Sequence, residues 1–178
     1  AVSTGTDQVV LVKPHEPAVT SFFDVPTMVC DATPVLADAV DPAHTDPSIV
    51  APDASARPMA VALRDALGRG AVEHFEKTRQ SSTSVDLSDD GLDVTDRTVV
   101  LVDDIISTGT TMATAAARLL DAGAVRVDVA CVHGLLVGAA QTALRRSGVT
   151  EIITTDTLDT APATITVADA IAGCLRTR

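Results

Sequence analysis

Short apolar runs separated by small or polar breaks set the rhythm of this chain. Residues 98–102 form a continuous rather than alternating run, the mark of a strand buried on both faces of a parallel sheet. Residues 8–12, 48–51, 71–76, 125–132, 150–154 and 164–167 read as further strands. Helical patterns fall between them at 34–40, 58–67, 110–121, 136–147 and 168–176, with Pro58 near the first turn of its helix. Strands alternating with helices predict an α/β protein with a parallel sheet and crossover connections. Residues 13–27 read as a connection and Asp41–Pro47 as a linker. The polar, weakly patterned segment 78–94 reads as a mobile loop or flap.

Ligands of such sheets bind beyond the carboxyl ends of the strands. In this reading residues 52–57, 77–79, 103–111 and His133 fall at such ends. The densest of these is 99–111, Val-Val-Leu-Val-Asp-Asp-Ile-Ile-Ser-Thr-Gly-Thr-Thr. A buried strand runs into two carboxylates, then into a hydroxyl-rich loop that opens a helix. Backbone N–H groups at a helix start favour a phosphate. Asp103 and Asp104 repel a phosphate but accept hydrogen bonds from paired sugar hydroxyls, or hold a divalent cation. Ordinary helix capping needs fewer such residues.

Composition narrows the partners. The chain has 178 residues, 46% of them apolar, with a formal charge of −11. That charge argues against a nucleic-acid backbone as partner. No run approaches the ~18 apolar residues of a membrane span, and the start carries no leader pattern, so a cytoplasmic protein is expected. Cys30, Cys131 and Cys174 are scattered among apolar segments, which predicts buried reduced thiols rather than a disulfide or metal framework. Aspartate outnumbers glutamate, and Lys13 and Lys77 are the only lysines. An acid-rich, lysine-poor surface suits a high-salt interior.

That scarcity gives weight to Phe75-Glu76-Lys77-Thr78-Arg79, where two cations lie on the same side of an extended chain. Phosphoryl transfer needs such a clamp, because charge builds on the non-bridging oxygens; a solvated pair at a strand end is the plainer reading. In Val50-Ala51-Pro52-Asp53-Ala54-Ser55-Ala56-Arg57, small residues allow backbone to approach a diphosphate, and Asp53 is placed to bind a metal or its water. Capping by Asp53 or Ser55 is the alternative there. His15, His44, His74 and His133 lack metal-ligand spacing.

Together these segments resemble the ribose-phosphate diphosphokinase family, archaeal members especially: His15 followed by Phe22-Phe23-Asp24-Val25-Pro26, the 52–57 loop, Lys77-Thr78-Arg79, the 103–111 loop and Val132-His133-Gly134. The resemblance implies a phosphoribosyltransferase-type (type I) parallel α/β fold. It implies that His15 and Asp53 hold Mg2+ and that Lys77 and Arg79 stabilise a transferring diphosphoryl group. Asp103 and Asp104 bind the ribose hydroxyls, while Ser107, Thr108, Gly109, Thr110 and Thr111 wrap the 5-phosphate. The implied substrates are ATP and ribose 5-phosphate and the implied assembly a homo-oligomer, with neither nucleic acid nor membrane as partner. Ala54, Ser55 and Ala56 stand where many members carry glycines, and Thr110 replaces a frequent Gly. Members are pseudo-duplicated. Residues 1–42 are therefore expected to be the end of a first phosphoribosyltransferase-like domain, and 43–178 the second, leaving the ATP site incomplete or finished by another chain. The alternatives are a purine or pyrimidine phosphoribosyltransferase, which shares the 99–111 loop but has no use for His15 or Lys77-Thr78-Arg79, and a non-catalytic regulatory homologue that binds ribose phosphates.

Overall fold

A computed structural model describes residues 5–79, 85–88 and 92–176. Strands β1 (Val9–Val12) and β2 (Thr27–Cys30) pair in parallel as a separate two-stranded sheet, joined through a 3-10 helix at Pro17–Phe22. Helix α1 (Thr33–Ala39) leads into β3 (Ser48–Ala51), α2 (Arg57–Leu67) and β4 (Ala71–His74). A two-stranded antiparallel pair follows, β5 (Glu76–Arg79) with β6 (Val85–Ser88). Then come β7 (Thr98–Ile106), α3 (Thr110–Asp121), β8 (Arg126–Gly134), α4 (Ala140–Arg146), β9 (Glu151–Thr155), β10 (Ala163–Ile165) and α5 (Ala168–Arg176).

The main sheet has six strands in the order β10-β9-β8-β7-β3-β4, every pairing parallel. Strand β7 shows why one apolar run suffices to build the core. Its Val99 and Leu101 pack with Met112 and Leu119 of α3 and Leu144 of α4 on one face. Val100 and Val102 pack with Leu36 of α1 and Met59 and Leu63 of α2 on the other. Alternate residues thus serve two helical layers, as a continuous apolar strand requires. The parallel α/β architecture expected from sequence is the one found.

The strand order puts the chain's reversal at β3 and β7: from β3 it steps outward to β4, then returns beside β3 and continues through β8, β9 and β10. The crevice beyond the carboxyl ends of β3 and β7 is therefore the topological switch point, where such sheets bind ligands. The loop bearing Asp53 leaves β3 there, and the last residues of β7 carry Asp103 and Asp104 into the 107–109 turn.

Several elements depart from the sequence reading. Residues 27–30 within the supposed connection 13–27 and beyond are a strand. β7 runs to Ile106 rather than 102, held in register with β8 by Asp103 opposite Cys131 and Ile105 opposite His133, so both carboxylates sit within a strand. The 71–76 strand stops at His74, where buried Phe75 separates it from β5. Within the expected flap, 85–88 form β6 and Val94 is fully buried, while residues 80–84 and 89–91 lie outside the described residues. The supposed linker 41–47 carries His44, which is buried and meets Asp128 of β8 at 2.9 Å through Nε2; Arg126 donates to the same carboxylate at 2.9 and 3.0 Å. Cys131 is free and buried as expected, and burial pushes its thiol up to about 12. Cys30 and Cys174 are instead joined as a disulfide, with Cα atoms 6.0 Å apart, tying β2 to α5. Their separation of 144 residues gave the sequence no means of pairing them.

Candidate functional site

Two cavities open at the switch point and share Asp103. One, of about 180 Å³, is lined by Asp103, Ile105, Ile106 and the 107–112 turn. The other, of about 240 Å³, is bounded by Lys13, His15, Ser55, Met59, Asp103 and Asp104.

The first cavity is the mouth of α3. Gly109 occupies the N-cap with φ 74°, in the left-handed region, and no side chain caps the helix. The first intrahelical acceptor is the Gly109 carbonyl, taken by Ala113 N–H at 2.8 Å. The N–H groups ahead of it in the first turn have no acceptor within the helix and line a cavity of phosphate size. Thr108 and Thr110 hydroxyls lie 3.2 Å apart, adding donors to the same rim. A Cβ on residue 109 would stand 3.4 Å from Ala140 Cβ and from Leu144, so α4 leaves room for glycine there and little more. The turn after β8 supports the loop from behind: Leu136 N–H donates to the Ile106 carbonyl and Val137 N–H to that of Ser107, each at 3.0 Å. The left-handed φ of 45° at Leu136 makes this possible. Sequence reasoning missed that brace, although Gly138, with φ 60°, marked a turn there.

The second cavity gathers the acidic residues. Asp103 is half-buried, and burial, with the charges of Asp104 and Asp53 adding to it, pushes its carboxyl up to about 6; the Asp104 N–H, donated to Oδ1 at 2.9 Å, opposes that rise. Asp104 meets His15 Nδ1 at 2.8 and 3.1 Å through its two oxygens. That hydrogen bond first, and the carboxylate charge second, hold the His15 imidazole above its usual value. Asp53 turns its own loop rather than capping α2, whose N-cap is Ala56 with no side-chain cap: Oδ1 accepts from the N–H groups of Ser55 at 2.8 Å and Ala56 at 3.3 Å, and from the Ser55 hydroxyl. Its charge still reaches Asp103.

Among the described residues no three His, Cys, Asp or Glu side chains gather as a metal-ligand cluster. The donors present nevertheless suit Mg2+, which takes one or two carboxylates plus substrate phosphates rather than a protein cage. A histidine whose Nδ1 is held by a carboxylate presents Nε2 to a metal, the usual arrangement around a metal-binding imidazole. Lys77 and Arg79 lie on β5 opposite Leu87 and Val85; their side chains fall outside the described residues.

A parallel sheet with an uncapped helix start and two adjacent carboxylates at its switch point defines a parallel α/β protein with its candidate site at the carboxyl ends of β3 and β7. More narrowly, the chain belongs to the phosphoribosyl transferase domain family, whose model matches residues 19–169. It is 43% identical to the ribose-phosphate pyrophosphokinase of Halobacterium salinarum, over 98% of this chain and 62% of that one. It is 38% identical to the enzyme of the same name from Methanothermobacter thermautotrophicus, over 98% of this chain and 60% of that one. The crystal structure of phosphoribosylpyrophosphate synthetase from Mycobacterium smegmatis superposes with a TM-score of 0.83 at 30% identity, over 98% of this chain and 59% of that one. The chain thus spans about three-fifths of the length of these relatives. No helix among the described residues is long and apolar enough to cross a membrane.

Proposed function

We propose that this chain carries the ribose 5-phosphate half of a ribose-phosphate diphosphokinase, which transfers the diphosphoryl group of ATP to the anomeric hydroxyl of ribose 5-phosphate and releases AMP. The observation that carries this reading is the uncapped mouth of α3 in a cavity that Asp103 shares with the neighbouring cavity of Asp104 and His15. The 5-phosphate lies against the N–H groups and hydroxyls of Ser107, Thr108, Gly109, Thr110 and Thr111, where helix dipole and donors both favour a dianion. Asp103 and Asp104 accept from the ribose hydroxyls, and Asp104 in addition orients His15.

His15 and Asp53 would hold Mg2+, which would supply charge neutralisation to the phosphoryl oxygens. Lys77 and Arg79, both on β5, stabilise charge as the anomeric oxygen attacks the β-phosphorus in line. Residues 1–42 are the end of a preceding domain of the same kind and 43–178 the second domain, with α1 of the first part packed on α2. The ATP site is then completed by residues outside this chain. Exposed Phe22 and Val29 on the β1–β2 unit, 80% and 52% accessible, support a homo-oligomer. The substrates are metabolites of the cytoplasm, where we place the protein; neither nucleic acid nor membrane is a partner.

Product analysis separates the readings. AMP formed from ATP and ribose 5-phosphate with Mg2+ supports the diphosphokinase. Diphosphate released from phosphoribosyl diphosphate and a purine or pyrimidine base supports a phosphoribosyltransferase, and sugar-phosphate binding with neither product a regulatory homologue.

A further inference from the structure

Lys13 is held more completely than its place in a surface loop requires. It adopts φ 40°, left-handed for a residue with a side chain, and it precedes Pro14, which already narrows the backbone choices of its neighbour. Its N–H donates to the Cys30 carbonyl at 2.9 Å. Its ammonium donates to Asp31 Oδ1 at 3.1 Å and the Thr33 hydroxyl at 3.3 Å. Its carbonyl lies 2.9 Å from His133 Nε2, a residue 120 positions away on β8. Two residues after Lys13, His15 meets Asp104.

A carbonyl only accepts, so His133 Nε2 carries the proton in this contact. Nδ1 faces the Thr157 hydroxyl at 3.0 Å. That hydroxyl also donates to the Val132 carbonyl at 3.0 Å, beside the Thr155 hydroxyl, which donates to the same oxygen at 2.7 Å. The ring is thereby held between the Lys13 carbonyl, which sets a proton on Nε2, and Thr157 just beyond β9, and β8 in turn is fixed by its pairing of His133 with Ile105 of β7. His133, Asp104 and the phosphate loop share one rigid frame. The β1–β2 unit reaches that frame on the site side through Lys13 and His15.

We propose that His133 is a positioning residue: by donating from Nε2 to the Lys13 carbonyl it holds the chain in the left-handed turn that delivers His15 to Asp104. The consequence for activity rests on the reading of His15 as a cation ligand; the positional relationship does not.

The test is a set of crystal structures and ribose 5-phosphate titrations of the wild-type chain, His133→Phe and His133→Gln. Phe keeps a ring and loses the donor, whereas Gln keeps an N–H at the position of Nε2. In His133→Phe the His15–Asp104 contact is expected to open beyond hydrogen-bond distance, with ribose 5-phosphate affinity within about twofold of wild type because the α3 mouth is untouched. His133→Gln is expected to restore the contact. Should His133→Phe fail to fold, Thr157→Val, which frees the ring but leaves it in place, is expected to loosen the same contact. An intact His15–Asp104 pair in His133→Phe or in Thr157→Val, or an open one in His133→Gln, overturns the proposal. Wild-type protein that binds no ribose 5-phosphate overturns the functional reading and leaves the positional result to stand on the structures.

Discussion

His15 and Asp104, 89 residues apart, meet through the imidazole Nδ1 and both carboxylate oxygens at 2.8 and 3.1 Å. The contact joins the β1–β2 unit to the strand that leads into the 107–111 turn, and it gives Asp104 a task besides the sugar contact proposed for it. Asp104→Asn weakens it. The His15 titration midpoint, read by NMR, is expected to fall toward the ordinary imidazole value in that variant, since the hydrogen bond and charge that raise it both come chiefly from Asp104. An unchanged midpoint contradicts the pairing.

The cost of keeping Asp103 ionised is measurable as stability. Its carboxyl is pushed from 3.8 to about 6 by burial and by neighbouring acids, so between those values the folded state binds more protons than the unfolded one. Stability therefore falls as pH rises through that window, by about 1–3 kcal/mol after allowance for partial solvent access. Asp103→Asn removes the charge. It is expected to melt above wild type at pH 7.5 and to lose that advantage below pH ~4, while weakening ribose 5-phosphate binding. A variant less stable than wild type at pH 7.5 would speak against a strained carboxylate.

The strand, turn and helix start around 107–111 were legible in sequence because their residue types follow from local rules: an apolar run, hydroxyls and a glycine. The rest of the site was less so. β7 continues through Asp103 and Asp104 because β8 pairs with it as far as Gly134, and a tertiary pairing of this kind overrides the low strand preference of aspartate. The four residues of β2 are too few to show a period. His44 read as linker because its partner Asp128 is 84 positions away, and Lys13 and His133 stood apart in sequence for the same reason. Asp53 was visible, but its commitment to Ser55 and Ala56 depends on a turn geometry that capping residues share with metal ligands.

Gly109→Ala probes that local rule. The left-handed φ of 74° and the 3.4 Å approach of Ala140 and Leu144 leave a methyl both strained and crowded. A loss of about 1–3 kcal/mol in unfolding free energy is expected, together with weaker ribose 5-phosphate binding as the α3 mouth shifts. Denaturant unfolding and calorimetric titration measure the two effects separately.

The Cys30–Cys174 pairing makes a countable forecast. Protein denatured without reductant is expected to show one reactive thiol, Cys131, and three after reduction. Cys174→Ser is expected to lower stability by about 2–4 kcal/mol, the usual cost of losing a cross-link that closes a long loop. Three thiols without reductant would mean that the two sulfurs are not bonded.

Lys77→Ala tests the division of labour between β5 and the phosphate loop. In protein that forms AMP from ATP and ribose 5-phosphate, turnover is expected to fall by about two or more orders of magnitude, the scale of losing a cation from a phosphoryl-transfer clamp. Ribose 5-phosphate affinity should stay near wild type. Equal loss of both would assign Lys77 to sugar binding instead.

The most direct measurement is an amide-resolved NMR titration of the wild-type chain with ribose 5-phosphate, with ribose as control. Saturable shifts centred on the amides of Ser107 to Thr111, elicited by the phosphorylated sugar and not by ribose, are the predicted result. Shifts absent from those amides, or produced equally by ribose, would contradict a phosphate seat at the mouth of α3.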